Sequence, residues 1–198
     1  MKKWLIILLL FATGVSAQKI PDYGFNKVRI VTNDKVIQAE TIPVSTNPDL
    51  DNYKTYYWSS SNAIHATQGG FSGKLLNGEY TEYYNNKNIR EQGHFNKGLK
   101  TGIWKSWNES GTMLQLYTWK DGVLSGEFEL FQENGRPRQS GTYKNNLLKG
   151  SITNYLPSGE IQIVKYKSGK PVTAQKRSFW QRLKLGKHAR KDTTKIKQ

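Results

Sequence analysis

The chain has 198 residues, with 30 lysines and arginines against 15 aspartates and glutamates, and a formal net charge of +15. It contains no cysteine, which excludes disulfides, thiolate metal sites and cysteine nucleophiles. Nine lysines and arginines and a single acid lie between Lys176 and Lys197, so much of the positive excess belongs to the end of the chain.

The first 17 residues are typical of a secretory signal peptide. Two lysines are followed by an apolar stretch from Trp4 to Ala12 and by a small-residue cleavage site, Val15-Ser16-Ala17. The apolar stretch is shorter than the ~20 residues that a membrane-spanning helix needs. We therefore expect residues 1–17 to be removed, and the mature protein to begin at Gln18 and to be periplasmic or secreted.

Residues 18–53 are predicted to form a small N-terminal β cap. Residues 28–32 and 35–39 are rich in valine and isoleucine and flank Asn33-Asp34, which indicates a hairpin. Such a cap would protect the open end of the structure that follows.

Residues 54–171 contain an internal repeat of 24 residues. It is marked by a column of glycines at Gly78, Gly102, Gly126 and Gly150. The first aromatic column lies two positions later, at Tyr80, Trp104, Phe128 and Ile152. The second lies five positions later, at Tyr83, Trp107, Phe131 and Tyr155, and a third consists of Phe71, Phe95, Trp119 and Tyr143.

Turn signals divide each unit into two strands. Within units the turns end in glycine (Gly111, Gly135 and Gly159), and between units they end in Gly98, Gly122, Asn146 and Gly169, residue types that tolerate positive φ. Connections this short permit only antiparallel neighbours, because parallel pairing needs crossovers of a dozen residues or more. We expect an all-β fold, an elongated single-layer antiparallel meander, and we assign the repeated glycines to turns.

The repeat also predicts the strand register. If the first turn is centred on Asn86-Lys87, Tyr80 lies opposite Gly93, and the same offset pairs Trp104 with Tyr117 and Phe128 with Gly141. A ring opposite a glycine covers backbone that would otherwise be bare. Because the first and second columns are three residues apart, regular pleating puts them on opposite faces, so that one packs as core and the other is exposed.

The fullest units read Gly102-Ile-Trp104-Lys-Ser-Trp107 and Gly126-Glu-Phe128-Glu-Leu-Phe131. This pattern, which extends over residues 71–171, resembles the bacterial variant of the MORN repeat, whose arrays are often labelled YwqK-type antitoxins. The resemblance implies a β-hairpin array and protein interaction, with phospholipid contact as a second association. An antitoxin role implies a cytoplasmic toxin and conflicts with the predicted signal peptide.

Residues 172–198 form a basic tail. Helical spacing would gather apolar rings on one side with cations beside them, at Phe179, Trp180, Arg182, Lys184 and Lys187. One interpretation is a solvated tail without a specific role. The other is contact with a membrane or polyanion, such as anionic lipid or an envelope polymer.

No pattern in the sequence indicates catalysis. The histidines His65, His94 and His188 have no metal-site spacing, and there is no nucleophile motif or phosphate-binding loop. The acids of the array, Glu79, Glu82, Glu127, Glu129 and Glu133, fit a solvated face. We therefore expect no catalytic residue, no metal, no cofactor and no enzymatic activity.

The leading functional hypothesis is a non-enzymatic exported binding or scaffold module that holds a protein partner on its sheet. The candidate contact residues are Trp104, Trp107, Trp119, Phe128 and Phe131. The alternatives are a surface protein held on anionic lipid or envelope by its basic tail, and a glycan-binding protein. Nucleic acid is not an expected partner, because an exported protein seldom meets it and the array lacks an evident basic face.

Overall fold

A computed structural model describes residues 26–42 and 49–172, and the regular elements within these ranges are all β-strands. The predicted signal peptide and nearly all of the predicted tail lie outside the described residues. No helix in the described ranges is long and apolar enough to cross a membrane.

The strands follow one another with short connections. In chain order they are β1 (Lys27–Val31), β2 (Lys35–Thr41), β3 (Thr55–Ser60), β4 (Ala63–Gln68), β5 (Lys74–Tyr84), β6 (Ile89–Asn96), β7 (Leu99–Trp107), β8 (Met113–Lys120), β9 (Val123–Phe131), β10 (Pro137–Lys144), β11 (Leu147–Tyr155), β12 (Ile161–Lys167) and β13 (Lys170–Pro171).

The strands form one open antiparallel sheet, which confirms the predicted fold class. The spatial order is β1-β2-β5-β6-β7-β8-β9-β10-β11-β12-β13, so from β5 onward each strand pairs with the next one in the chain. The predicted hairpin of the cap is also confirmed, because β1 and β2 pair antiparallel with Ile30 opposite Ile37.

The turns between units have the predicted positive φ. The last residues are Gly98 (φ 81), Gly122 (φ 82), Asn146 (φ 63) and Gly169 (φ 77). Their amides donate to carbonyls of the preceding unit at intervals that follow the repeat, from Gly98 to Leu76 O at 2.7 Å and from Gly122 to Lys100 O at 2.9 Å. The sequence period is therefore also a period of hydrogen bonding.

The first glycine column lies inside strands, so its assignment to turns is wrong. Gly78 and Gly126 have φ of 113 and 139 in the middle of β5 and β9. The register between β8 and β9 shifts between Tyr117 and Trp119, beside Gly126, and a corresponding shift lies between β2 and β5 beside Gly78. These glycines form β-bulges, which bend a strand and need a residue that accepts positive φ.

One hairpin departs from the meander. The β3–β4 hairpin joins the sheet through β3, which pairs with Lys74 and Leu75 at the start of β5, whereas β4 pairs only with β3. Along the rest of β5 the partner strand is β2. The β3–β4 hairpin is fixed by a hydrogen bond from the Tyr57 amide to Gly98 O at 2.8 Å. The hairpin packs on the side of the sheet that carries Phe95. The ring centroids of Tyr57 and Phe95 are 5.0 Å apart.

The core consists of two clusters along the sheet. The larger lies beside the β3–β4 hairpin and contains Ile30, Ile37, Ala39, Leu76, Tyr80, Phe95 and Trp104. The smaller contains Phe128, Leu130 and Ile152.

Candidate binding site

One side of the sheet carries a continuous row of apolar side chains, and we call it the aromatic face. Its register is the predicted one: Tyr80 opposite Gly93, Trp104 opposite Tyr117, and Phe128 opposite Gly141. Its rings lie close together, with centroids 4.8 Å apart for Phe95 and Trp104 and 4.9 Å apart for Phe128 and Tyr143. The opposite side is here called the outer face.

The first aromatic column is the core of this face. Trp104 is 3% exposed and Phe128 is 1% exposed, so neither ring can contact a partner unless the core opens. The Trp104 indole NH has carbonyl acceptors inside the protein, His94 O and Thr101 O, each at 3.2 Å. These two residues of the predicted contact set therefore stabilise the sheet.

The other three predicted contact residues are partly buried and are not brought together. Trp119 packs against the larger cluster, near Lys100. Trp107 and Phe131 lie at the ends of β7 and β9, beside the turns within units, where Trp107 is opposite Met113 and Phe131 is opposite Pro137.

The aromatic face is covered at one end only. The β3–β4 hairpin places Tyr57 and Ile64 on the larger cluster. Around the smaller cluster the partly buried side chains are Tyr117, Tyr143, Leu148 and Tyr166, and no second layer from the described ranges lies over them. An uncovered apolar surface of this kind on a sheet is typical of an interaction site.

Beneath the β3–β4 hairpin lies a cavity of about 280 Å³ with both apolar and charged walls. Glu82 and Glu91 are register partners on β5 and β6 on this side of the sheet. Glu82 is 6% exposed, so its predicted place on a solvated face is wrong. The predicted pairing of Tyr80 with Gly93 already places Glu82 opposite Glu91, but it does not predict that Glu82 is buried.

Glu82 is held by two hydrogen-bond donors, Tyr80 and Lys35, and by a further cation, Arg90. The Tyr80 hydroxyl donates to it at 2.8 Å, and the Lys35 ammonium and the Arg90 guanidinium each lie 3.4 Å away. Burial raises the pKa of Tyr80 well above its ordinary value, and the neighbouring Glu82 carboxylate raises it further. Tyr80 therefore stays protonated and donates, while the two cations compensate the charge of Glu82.

The second carboxylate, Glu91, pairs with Lys100, whose ammonium lies among aromatic rings that we call the aromatic cage. Lys100 donates to Glu91 at 2.8 Å, and its ammonium lies 3.7 Å from the Trp104 ring centroid and 5.6 Å from that of Tyr57. Burial raises the pKa of Tyr57, and the charge of Glu91 adds to that effect. The Lys100–Glu91 ion pair joins β7 to β6, and the cation–π contact of Lys100 with Tyr57 holds the hairpin against the sheet.

Two converging carboxylates are also what glycoside hydrolysis requires. Here each is engaged by cations of the chain, Glu82 by Lys35 and Arg90 and Glu91 by Lys100.

The histidines of the described ranges also have partners within the chain. His65 stacks on Trp58, and His94 lies 3.2 Å from Glu79. In the described ranges no group of three or more histidines, aspartates or glutamates is placed to hold a metal ion. What these residues do in the structure is join layers and strands.

No family model matches the chain, and no curated protein matches it. The resemblance to MORN-repeat proteins therefore stays a prediction that rests on the residues quoted for it.

Proposed function

We propose that this protein is an exported, non-enzymatic binding module that holds a protein partner on the uncovered part of its aromatic face. The observation that carries the proposal is the contrast between the two ends of that face. One cluster is covered by the β3–β4 hairpin, and the other has partly buried rings with no described layer above them.

The covered end suggests the chemistry of the partner. There the β3–β4 hairpin presents Tyr57 and Ile64 to the sheet and adds an amide hydrogen bond to Gly98 O. A partner polypeptide with an apolar strip of similar width would bury Tyr143, Leu148 and Tyr166 in the same way. Aromatic side chains at the centre of such a contact supply most of its binding energy.

The test begins with a photo-reactive amino acid at position 143 on the aromatic face, and at position 163 on the outer face as its control. Ile163 is 63% exposed and Tyr143 is partly buried, so a probe at either position has a surface open to solvent. We expect the mature protein to crosslink to an envelope protein from position 143 only. The crosslinked protein is then purified and titrated against the unmodified chain by calorimetry.

In that titration, we expect a Tyr143→Ser, Leu148→Ser variant to bind at least about tenfold more weakly, because hot-spot losses exceed about 1 kcal/mol. Ile103→Ser and Ile163→Ser, which change exposed outer-face side chains, should bind as wild type. Trp107→Ala and Phe131→Ala test the part of the predicted contact set that remains accessible. A folded aromatic-face variant with wild-type affinity would contradict the proposal.

Attachment to the envelope through the basic tail, and glycan binding, stay alternatives from the sequence. The tail alternative predicts that removing residues 176–197 abolishes binding to anionic vesicles and leaves the sheet folded.

A further inference from the structure

The two parts of the array differ in charge. Residues 74–135 contain seven lysines and arginines and eight acids, whereas residues 136–172 contain seven lysines and arginines and one acid, Glu160. All ion pairs in the described ranges use cations of β1, β2, β6 or β7. The net charge of +6 on residues 136–172 is therefore not compensated by neighbouring acids of the described sheet.

The register gathers five lysines of this region on the outer face. Thr142 follows Gly141, the partner of Phe128 on the aromatic face, so Thr142 and its own partner Lys149 point the other way. Lys165 and Lys167 alternate with Tyr166, which packs on the aromatic face. The five side chains, all exposed, are Lys144, Lys149, Lys165, Lys167 and Lys170.

Two of these lysines are direct cross-strand partners. Lys167 lies opposite Lys170 in the pairing of β12 with β13. Like charges in directly opposite positions destabilise a sheet, and a bound anion would relieve that repulsion. Four of the five lysines, all but Lys170, line an open concavity of about 710 Å³. Its other walls include Ser151, Leu147, Val172, Leu148 and Tyr166.

We propose that this lysine surface, formed by Lys144, Lys149, Lys165, Lys167 and Lys170, binds a linear polymer of phosphate groups. It lies on the outer face and is independent of the protein contact proposed for the aromatic face. The sequence-based expectation that the array lacks a basic face is corrected for β10 to β13.

The arrangement favours a polymer over a single anion. The lysines extend over four neighbouring strands about 4.8 Å apart, a span that one phosphate cannot bridge. Lysine ammoniums on long stems are point charges that adapt to successive phosphates, and a polyanion gains affinity from the counterions it releases. The exposed apolar side chains beside them, Leu147 and Val172, are aliphatic, and the aromatic residue of the wall, Tyr166, packs against the smaller cluster. Single-stranded nucleic acid is instead held by stacking on accessible aromatic rings.

The experiment compares two full-length variants of equal net charge. In the test variant Lys149, Lys165, Lys167 and Lys170 become glutamine. In the control, glutamine replaces four exposed lysines of the other strands and turns, Lys74, Lys87, Lys97 and Lys120. Both keep residues 173–198, so the basic tail contributes equally. Binding of fluorescently labelled inorganic polyphosphate is measured by anisotropy at several salt concentrations.

We expect the test variant to bind at least about tenfold more weakly than wild type. The slope of log K against the logarithm of salt concentration should become shallower by about 0.7 to 0.9 for each lost contact. The control should stay within about twofold of wild type at the same salt concentration. Equal weakening of both variants would overturn the proposal, because total charge would then explain binding. Tighter binding to single-stranded DNA or to phosphatidylglycerol vesicles than to polyphosphate would also overturn it.

Two further measurements distinguish an effect on binding from an effect on folding, and the lysine surface from the aromatic face. Lys167→Gln alone should raise the thermal midpoint and weaken polyphosphate binding, since it removes the repulsion with Lys170 and one contact. A lower midpoint with unchanged binding would count against the proposal. Tyr143→Ser should leave polyphosphate binding at the wild-type level, so failure of the protein-partner proposal does not affect this result.

Discussion

At the scale of single residues, this sheet is stabilised by rings that lie against bare backbone. A β-carbon added at Gly93 would lie 2.2 Å from the Trp104 ring, and one at Gly141 would lie 2.3 Å from Ile152 Cδ1. Neighbouring side chains lie flat over the backbone at both places, beside the β3–β4 hairpin at Gly93 and in the part without a described second layer at Gly141. The absence of a side chain at Gly93 and Gly141 makes that possible.

Gly93→Ala tests this arrangement. We expect it to lower the free energy of unfolding by about 1 to 3 kcal/mol, because the added methyl group forces the Trp104 ring out of its place. Gly70→Ala is the matched control, since a β-carbon there would meet no atom within 4 Å. It should be neutral or stabilising by up to about 1 kcal/mol. Urea unfolding followed by tryptophan fluorescence measures both, and equal effects would contradict the role of ring packing.

The raised pKa of Tyr80 predicts a dependence of stability on alkaline pH. The ordinary pKa of tyrosine is 10.0, so above pH 10 the unfolded chain loses this proton while the folded chain keeps it. The unfolded state then binds fewer protons, and stability, complete below pH 10, falls by about 1.4 kcal/mol per pH unit for this group as pH rises toward the folded pKa. Tyr80→Phe should make the decline shallower by that amount in urea unfolding between about pH 10 and 11.

The control for that measurement is Tyr53→Phe, because the Tyr53 side chain is 90% exposed. It should leave the decline as steep as in wild type. All three proteins are compared over the same pH range, and the informative quantity is the difference in slope from wild type. A Tyr80→Phe variant with the wild-type slope would show that this hydroxyl does not govern the alkaline loss.

At the scale of elements, the β3–β4 hairpin is held by side chains more than by its strand pairing. β3 shares only two register pairs with β5 and one further backbone hydrogen bond, from the Tyr57 amide to Gly98 O. Its side-chain attachment includes Tyr57 against Phe95 and the Lys100 ammonium, and Ile64 against the larger cluster. A hairpin alone is marginally stable in water. Its position therefore depends on the cage that it helps to form.

Tyr57→Ala should accordingly release the hairpin. We expect a loss of about 1 to 3 kcal/mol in unfolding free energy, less than for a fully buried ring, and faster amide exchange across β3 and β4. Ile161→Ala, at a side chain that is 63% exposed, is the control and should change neither quantity. Unchanged amide exchange in β3 and β4 would mean that the backbone contacts alone hold the hairpin on the sheet.

At the scale of the whole molecule, the sheet behaves as a chain of neighbours. Each strand from β5 onward contacts mainly the strands beside it, and the two core clusters share no buried residue. Stability in such arrays is close to a sum of local contributions and neighbour interfaces. The end with the smaller, uncovered cluster should therefore open more readily.

Ile152→Ala tests this independence. Ile152 is fully buried, so the cavity should cost about 2 to 5 kcal/mol locally. Hydrogen exchange with mass spectrometry should show faster exchange in β9 to β12 and little change in β1, β2, β5 and β6. Uniform acceleration over all strands would show that the sheet unfolds as one cooperative unit.

Part of the binding surface was predictable and part was not. The register followed from the repeat, and it already implied the Glu82–Glu91 pair and the Lys167–Lys170 opposition. Which predicted contact residues are accessible did not follow from the register. The pleat separates the two aromatic columns but does not decide which of them packs as core, and the first column is buried both beside the β3–β4 hairpin, at Trp104, and away from it, at Phe128. The burial of Glu82 did not follow either, because its sequence neighbours resemble those of the exposed Glu79, and its cationic partners Lys35 and Arg90 lie on other strands.

The sequence by itself determined the strands, the turns with positive φ, and the antiparallel order from β5 to β12, because glycine, asparagine and aromatic spacing act within one hairpin or between adjacent ones. The tertiary structure alone decided where the β3–β4 hairpin returns. It also decided that the first glycine column forms bulges inside strands and that one end of the aromatic face is covered while the other is not. These features depend on contacts between residues far apart in the chain, such as Tyr57 with Phe95 and Lys35 with Glu82, which no local pattern encodes.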